Sequence, residues 1–344
     1  MGDALTLPES TLSHSRAVRQ LADLHRCEPT WEAVVSASES KRATGTYDAW
    51  IGTCLSDIET VVVDDALKDT EDMHSFTDMS VSVYTRSPCW RVVRVESVVE
   101  AAVEQLAARG TCSFAAVSDR VTKEFMTAMH DPHVVGFKSV IGKFSEMDYH
   151  TVKSEFETLL SDYLGERKRK GSSTPFRLNH AAVAQYFVED AAILLCSANK
   201  KLPTDADRPP KVFQFHTGLG DNDSGVSKAS PLHLQGFIYE YPTTPIVILY
   251  AGYPFTREAA YLANTYSNVW VDVGGLFPYL SRRGQENAVH ELLELAPWSK
   301  ILAGTGGGYF PETYHLAQTQ VKEVLETVRT YSVPFLGMAS SDIC

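Results

Sequence analysis

Three apolar runs between residues 211 and 312 end abruptly in polar or glycine-rich residues, and this most narrows what the chain can fold into. Val-Phe-Gln-Phe-His216 leads into Thr-Gly-Leu-Gly-Asp221-Asn-Asp223, and Ile-Val-Ile-Leu-Tyr250 into Ala-Gly-Tyr-Pro-Phe-Thr-Arg257. Lys300-Ile-Leu-Ala leads into Gly304-Thr-Gly306-Gly-Gly308 and then Glu312. A short apolar run without polar alternation is covered on both faces, as in a parallel strand, and its carboxyl end is where the chain reaches solvent.

The same reading along the chain predicts seven strands, at residues 60–64, 91–96, 134–141, 212–216, 246–250, 269–273 and 301–303. Between them, residues 98–109, 151–164, 179–197, 256–266, 286–295 and 312–331 carry apolar positions at helical spacing. Strands alternating with helices predict a parallel sheet with crossover helices. At 344 residues the chain suits one large barrel domain, with a helical region over 1–59, barrel elements over 60–310, and a last helix and tail over 311–344.

Composition excludes some functions. The net charge is −12, and the one basic cluster, Glu166-Arg-Lys-Arg-Lys-Gly171, reads as a solvated loop, so no nucleic-acid surface is expected. No segment was expected to approach the ~20 apolar residues that span a bilayer, and the first ten residues lack a signal-peptide pattern. The six cysteines show no metal-ribbon spacing and read as free thiols. A cytoplasmic protein acting on a small molecule follows as the expectation.

In a barrel of this kind the site lies at the carboxyl ends of the strands. The candidates are therefore Asp64 and Asp65, Glu96, Lys138, His216 with Asp221 and Asp223, Tyr250 with Arg257, Asp272, the 304–308 glycine run, and Glu312. Catalytic roles fall to His216, Lys138 and Asp64. Tyr250, Arg257, Asp221, Asp223, Glu96 and Glu312 are the substrate-binding set. Each has a plainer role as well: Asp64 and Asp272 as helix caps, Lys138 in a structural ion pair, Arg257 as a loop anchor to Glu258, and the glycines as tight turns.

These segments resemble the amidohydrolase-2 family, in the branch found in fungi and plants alone or ahead of a glutamine-synthetase-like domain. The resemblance also covers Arg16-Ala-Val-Arg-Gln-Leu, Cys27-Glu-Pro-Thr-Trp31, Thr85-Arg-Ser-Pro-Cys-Trp-Arg-Val-Val-Arg-Val-Glu96, Val134-Val-Gly-Phe-Lys138 and Phe277-Pro-Tyr-Leu-Ser-Arg-Arg-Gly-Gln-Glu286. It implies a TIM-barrel-like (β/α)8 fold of the metal-dependent hydrolases, here with the first strand missing. It also implies one divalent metal, zinc or manganese, held by a His-x-His pair, a histidine after the fifth strand and an aspartate after the eighth. His216 fills the fifth-strand place and is the one retained metal ligand. Tyr250 stands where a sixth-strand histidine is implied, the 304–308 run carries no carboxylate, and no His-x-His occurs in the sequence.

A catalytic zinc takes about three protein ligands plus water, so one histidine leaves the usual hydrolytic metal without a site. Three functions stay open: an amidohydrolase-type enzyme acting on a small polar amide, lactone or carboxylate in specialised metabolism, a metal-free cyclase or lyase reusing the pocket, or a silent ligand-binding homologue. A sheet short of one strand leaves two edges. The segment before Leu12, the apolar tail at 332–338, or a second copy of the chain in a homodimer is expected to cover that gap.

The purified protein is expected to hold well under one equivalent of zinc, manganese or iron, and chelation should leave its melting temperature unchanged. One tightly held ion per chain, measured by elemental mass spectrometry, refutes this.

Overall fold

The computed structural model describes residues 11–64, 84–140, 148–170, 175–203, 209–219, 225–308 and 310–336. Three helices come first: α1 (Leu12–His25), α2 (Trp31–Ala43) and α3 (Tyr47–Cys54). A seven-stranded sheet follows in simple sequential order, every neighbour parallel, curled into a half-barrel. Its strands are β1 (Val61–Val63), β2 (Cys89–Arg94), β3 (Val134–Ser139), β4 (Val212–His216), β5 (Ile246–Leu249), β6 (Val269–Asp272) and β7 (Ile301–Leu302).

All seven lie where the apolar runs predict them. Parallel pairing forces each connection to cross back over the sheet, and helices make most of those crossings. They are α4 (Val95–Ala108), α5 (Phe114–His130), α6 (Tyr149–Lys170), α7 (Ala181–Lys200), α8 (Gln235–Glu240), α9 (Thr256–Thr265), α10 (Arg282–Leu293) and α11 (Glu312–Leu336).

Four features depart from expectation. Helix α5 has no counterpart among the predicted helices. The basic cluster at 166–170 is not a loop but the last turn of α6. Residues 332–336 of the tail continue α11 through Leu336; residues 1–10 and 337–344 lie outside the described residues. Residues 181–199 are long and apolar enough to cross a membrane by length and composition, with mean hydropathy 1.3. That helix, α7, instead buries Val183, Phe187, Val188, Ala191 and Leu195 against the sheet.

The core is aromatic at its centre. Phe213 and Phe215, both inward on β4, stack 4.6 Å apart at 8°, and Phe237 of α8 meets both edge-on. Offset and edge-to-face pairs of this kind add to simple burial. Helix α5 closes the other side: Phe114, Val117, Val121 and Phe125 form one buried stripe, and Ser113 caps it by accepting the Ala116 N–H at 3.3 Å.

Helices α1–α3 form smaller clusters of their own. Leu21, Ala22 and Val34 pack on Leu316 of α11, and Ile51 and Leu55 pack toward β1 and Tyr314. Charge ties the same region down, since Glu323 of α11 accepts from Arg16 and, at 2.7 Å, from Arg282. Among the described residues β1 pairs only with β2 and β7 only with β6.

Sheet closure on its tightest side rests on one glycine. A Cβ at Gly136 of β3 would stand 1.9 Å from the Val212 carbonyl oxygen of β4. Only a residue without one lets these strands hydrogen-bond in register. Gly136→Ala is expected to lower the unfolding free energy by about 3 kcal/mol. Gly165→Ala in α6, where nothing lies within 4 Å, is expected to be neutral or stabilising by up to about 1 kcal/mol. Urea unfolding of the two variants distinguishes them, and equal midpoints would contradict the packing argument.

Candidate active site

The first three strands carry opposite charges to one point. Asp64 follows β1, Arg94 ends β2, and Lys138 is next to last on β3. Lys138 Nζ lies 2.9 Å from Asp64 Oδ2, and the Arg94 guanidinium donates to the same oxygen. The three side chains are 11–15% exposed. Burial works to raise the Asp64 pKa, but the charges of Lys138 and Arg94 and their hydrogen bonds outweigh it and hold the carboxyl below its usual range. Asp64 is thus an ionised partner of two cations rather than a helix cap.

Two further carboxyls behave in the opposite way. Glu96, expected at a strand end, is the second residue of α4, where its Oε1 accepts from Ser139 Oγ at 2.5 Å and from the Val140 N–H at 3.1 Å. Burial nonetheless pushes its pKa up. Asp272 ends β6 and accepts the Gly304 N–H at 2.7 Å. Burial raises it too, opposed by the N–H groups of Gly304 and Gly274 and by the Lys138 charge. Lys138 therefore acts on carboxyls that follow β1 and end β6, Asp64 and Asp272.

His216 ends β4, and its Nε2 is tied to the Leu219 carbonyl. Donation to a carbonyl requires the Nε2–H form, which leaves Nδ1 as an acceptor. Its ring meets Tyr250 edge-on with centroids 4.5 Å apart. Tyr250 and Ala251 adopt left-handed backbone, φ 59° and 52°, a conformation that non-glycine residues hold only when their surroundings enforce it. The Tyr250 ring lies on Gly275, where a Cβ would come within 2.3 Å of it.

The 304–308 run is a contact surface as well as a set of turns. A Cβ at Gly304 would meet the Asp272 carboxylate at 2.6 Å, and one at Gly306 would meet the Gly275 backbone at 2.3 Å.

Two expected residues are placed away from this cluster. Arg257, on the second position of α9, reaches Glu291 of α10 at 3.4 Å with two-thirds of its side chain exposed, so the ion pair it makes is with Glu291 rather than with Glu258. Glu312 opens α11, and its carboxylate accepts from Trp50 Nε1 and Ser38 Oγ, each at 2.8 Å, with His25 Nε2 at 3.3 Å. Its partners are thus residues of α1–α3. Asp65, Asp221 and Asp223 lie outside the described residues. Arg94, which the strand-end reading omitted, is the last residue of β2, and a charged side chain closing an apolar pair, Val92-Val93, was the available signal.

The divalent metal implied by resemblance does not fit the residues described. No three of their His, Cys, Asp and Glu side chains come together. His216 Nε2 is already committed, and the last strand supplies glycines where a carboxylate ligand would be needed.

Residues 212–327 match the family model described as Amidohydrolase. Protein fluG of Emericella nidulans is 34% identical over 342 residues, covering 95% of this chain. The chain spans only 38% of that relative's length. Among solved structures, a presumed metal-dependent hydrolase from Lactobacillus casei superposes with TM-score 0.76 at 18% identity, over 97% of this chain and 80% of that one. Uronate isomerase from Thermotoga maritima superposes with TM-score 0.55 at 14% identity, over 85% of this chain and 66% of that one. Both likenesses are of fold.

The His25 cluster makes stability depend on pH. His25 is fully buried between Glu312 and Lys41, whose Nζ is 2.8 Å from Nδ1. Burial and the Lys41 charge lower its pKa, against the pull of Glu312. As the pH falls below about 6.5 the unfolded chain takes up a proton that the folded chain refuses, so stability present above that pH is lost toward the folded-state pKa. Wild type should therefore lose melting temperature more steeply than His25→Gln between about pH 7 and 5; parallel curves would remove His25 as the cause.

Proposed function

We propose that this chain, whose residues 212–327 belong to the amidohydrolase family, binds a small anionic molecule at the carboxyl ends of its strands. It then transforms a polar amide, lactone or carboxylate group by acid–base chemistry drawn from side chains. The observation that carries this reading is the convergence of Lys138 and Arg94 on Asp64. Two cations share one carboxylate in a partly buried rim, so local charge there favours a second anion.

The neighbouring groups supply the chemistry. Burial raises the Asp272 pKa against the N–H groups of Gly304 and Gly274 and the Lys138 charge, and a carboxyl shifted in that direction is a better proton acceptor. In a hydrolytic cycle a water oxygen attacks the substrate carbonyl and its proton passes to Asp272. The oxyanion that forms is stabilised by the Lys138 ammonium, and Asp272 returns the proton to the leaving nitrogen or oxygen. Lys138 is suited to this because its charge reaches Asp272 as well as Asp64. His216 and Tyr250 line the adjoining rim, their rings meeting edge-on.

The test is ligand-induced thermal shift with a panel of small carboxylates, amides and lactones, followed by titration calorimetry on any hit. Lys138→Gln and Arg94→Gln should each weaken binding at least about tenfold, roughly 1.4 kcal/mol, while Arg257→Ala should leave it unchanged. Binding that survives both rim substitutions, or that disappears with Arg257→Ala, contradicts the assignment.

A further inference from the structure

A second concavity lies at the end of the sheet opposite the rim. Helices α7, α8 and α9 run back to the amino ends of β4, β5 and β6, and their last turns border, with the residues that lead into β6, an open cavity of about 540 Å³. Small-molecule sites run from about 300 to 1,000 Å³. None of the groups placed at the rim lines this space.

Its walls carry opposite charges. Lys200 ends α7 and Glu240 ends α8, and neither side chain makes a hydrogen bond or ion pair with a described residue. Lys200 suits the negative end of its helix, but Glu240 occupies the corresponding end of α8, where a negative charge is unfavourable. The fold gains nothing from a carboxylate at that position.

The rest of the lining is a fixed acceptor and an apolar surface. Asn268, 9% exposed, donates through Nδ2 to the Tyr241 and Thr244 carbonyls at 3.2 and 3.1 Å. Both amide hydrogens are then used, which settles the direction of Oδ1. That oxygen has no partner among the described residues and, unlike the buried unpaired atoms, keeps contact with solvent. The Tyr266 hydroxyl accepts from Gln235 Nε2 at 2.9 Å, which holds its ring in place, Tyr239 leaves 78% of its surface exposed, and Ile238 is buried beneath. Aromatic faces of this kind receive flat apolar groups and cations alike.

The geometry points to a second small-molecule site at the amino face of the sheet, for a zwitterion that joins an ammonium and a carboxylate to a flat apolar group, the chemistry of a free aromatic amino acid. Its carboxylate meets Lys200, its ammonium meets Glu240 and Asn268 Oδ1, and its ring lies against Tyr239 and Tyr266. Charge-assisted contacts supply the selectivity, because each end of the ligand finds the opposite charge on a different helix. The site shares no residue with the anion-binding rim and does not rest on that reading.

Titration calorimetry with L-phenylalanine, 3-phenylpropanoate and 2-phenylethylamine tests this on wild type, Lys200→Gln, Glu240→Gln and the rim variant Lys138→Gln. L-Phenylalanine is expected to bind once per chain, and each analogue, lacking one of the two charges, at least about tenfold more weakly. Lys200→Gln and Glu240→Gln should each weaken L-phenylalanine binding about tenfold, while Lys138→Gln leaves it unchanged. Lys200 and Glu240 are exposed, and melting temperatures equal to wild type verify that both variants fold. No uptake of L-phenylalanine overturns the site, as does an analogue that binds as tightly as the amino acid. Binding that survives both Lys200→Gln and Glu240→Gln but is lost with Lys138→Gln puts the ligand at the rim, which overturns this site and supports the anion-binding reading.

Discussion

A parallel sheet brings every strand's carboxyl end to the same rim, and the placement of functional groups in this protein follows from that constraint. Asp64, Arg94 and Lys138 are far apart in sequence yet meet because β1, β2 and β3 pair in order, and a register shift after Arg91 sets Arg94 beside Lys138. Gathering them carries an energetic penalty. Moving charges out of water costs several kcal/mol per ion, and apolar replacements of buried ion groups often leave a protein equally or more stable. A three-way ion cluster at 11–15% exposure is thus poorly explained as a stabilising device.

The opposite side of the rim is built from close contacts rather than charge. Gly274, Gly275, Gly304 and Gly306 admit the Asp272 carboxylate, the Tyr250 ring and one another at distances a Cβ would forbid. Tyr250 and Ala251 hold left-handed backbone to make this fit. Side chains have given way to backbone where a metal-binding barrel would project ligands. Asp272 compensates by taking its hydrogen bonds from the Gly304 and Gly274 main chain, which keeps it available as a single carboxyl instead of one member of a ligand set.

The strands were legible because a strand covered on both faces must be apolar along its length, and each such run in the second half stops at a polar or glycine residue. Helix α5 carries its own signal in the sequence, Ser113 as cap and the Phe114, Val117, Val121, Phe125 stripe. The site was only partly readable. Position after a strand does not fix where a side chain points: Arg257 follows β5 by several residues, yet it lies one position into α9, where it turns toward Glu291. Arg94 escaped notice because an arginine inside an apolar strand reads as a surface residue until its neighbour Asp64 is in place. The interactions of Glu312 were beyond sequence reasoning, since its partners Ser38, Trp50 and His25 are more than 250 positions away along the chain.

Those distant partners give the first three helices a part in the site. Glu312 begins α11, which directly follows the glycine run, and Tyr314 lies where a Cβ on Gly307 would come within 2.1 Å of its ring. The hold of Trp50, Ser38 and His25 on Glu312 therefore fixes the start of α11, and through Tyr314 the path of the loop that donates Gly304 N–H to Asp272. Arg16 reinforces the same helix about three turns along, at Glu323. Rigid support of this kind is what a carboxyl with a raised pKa requires, because a loop free to move would admit water and return Asp272 to its ordinary range. The N-terminal helices thus brace, through Glu312 and Tyr314, the backbone that surrounds the Asp272 carboxyl without touching it.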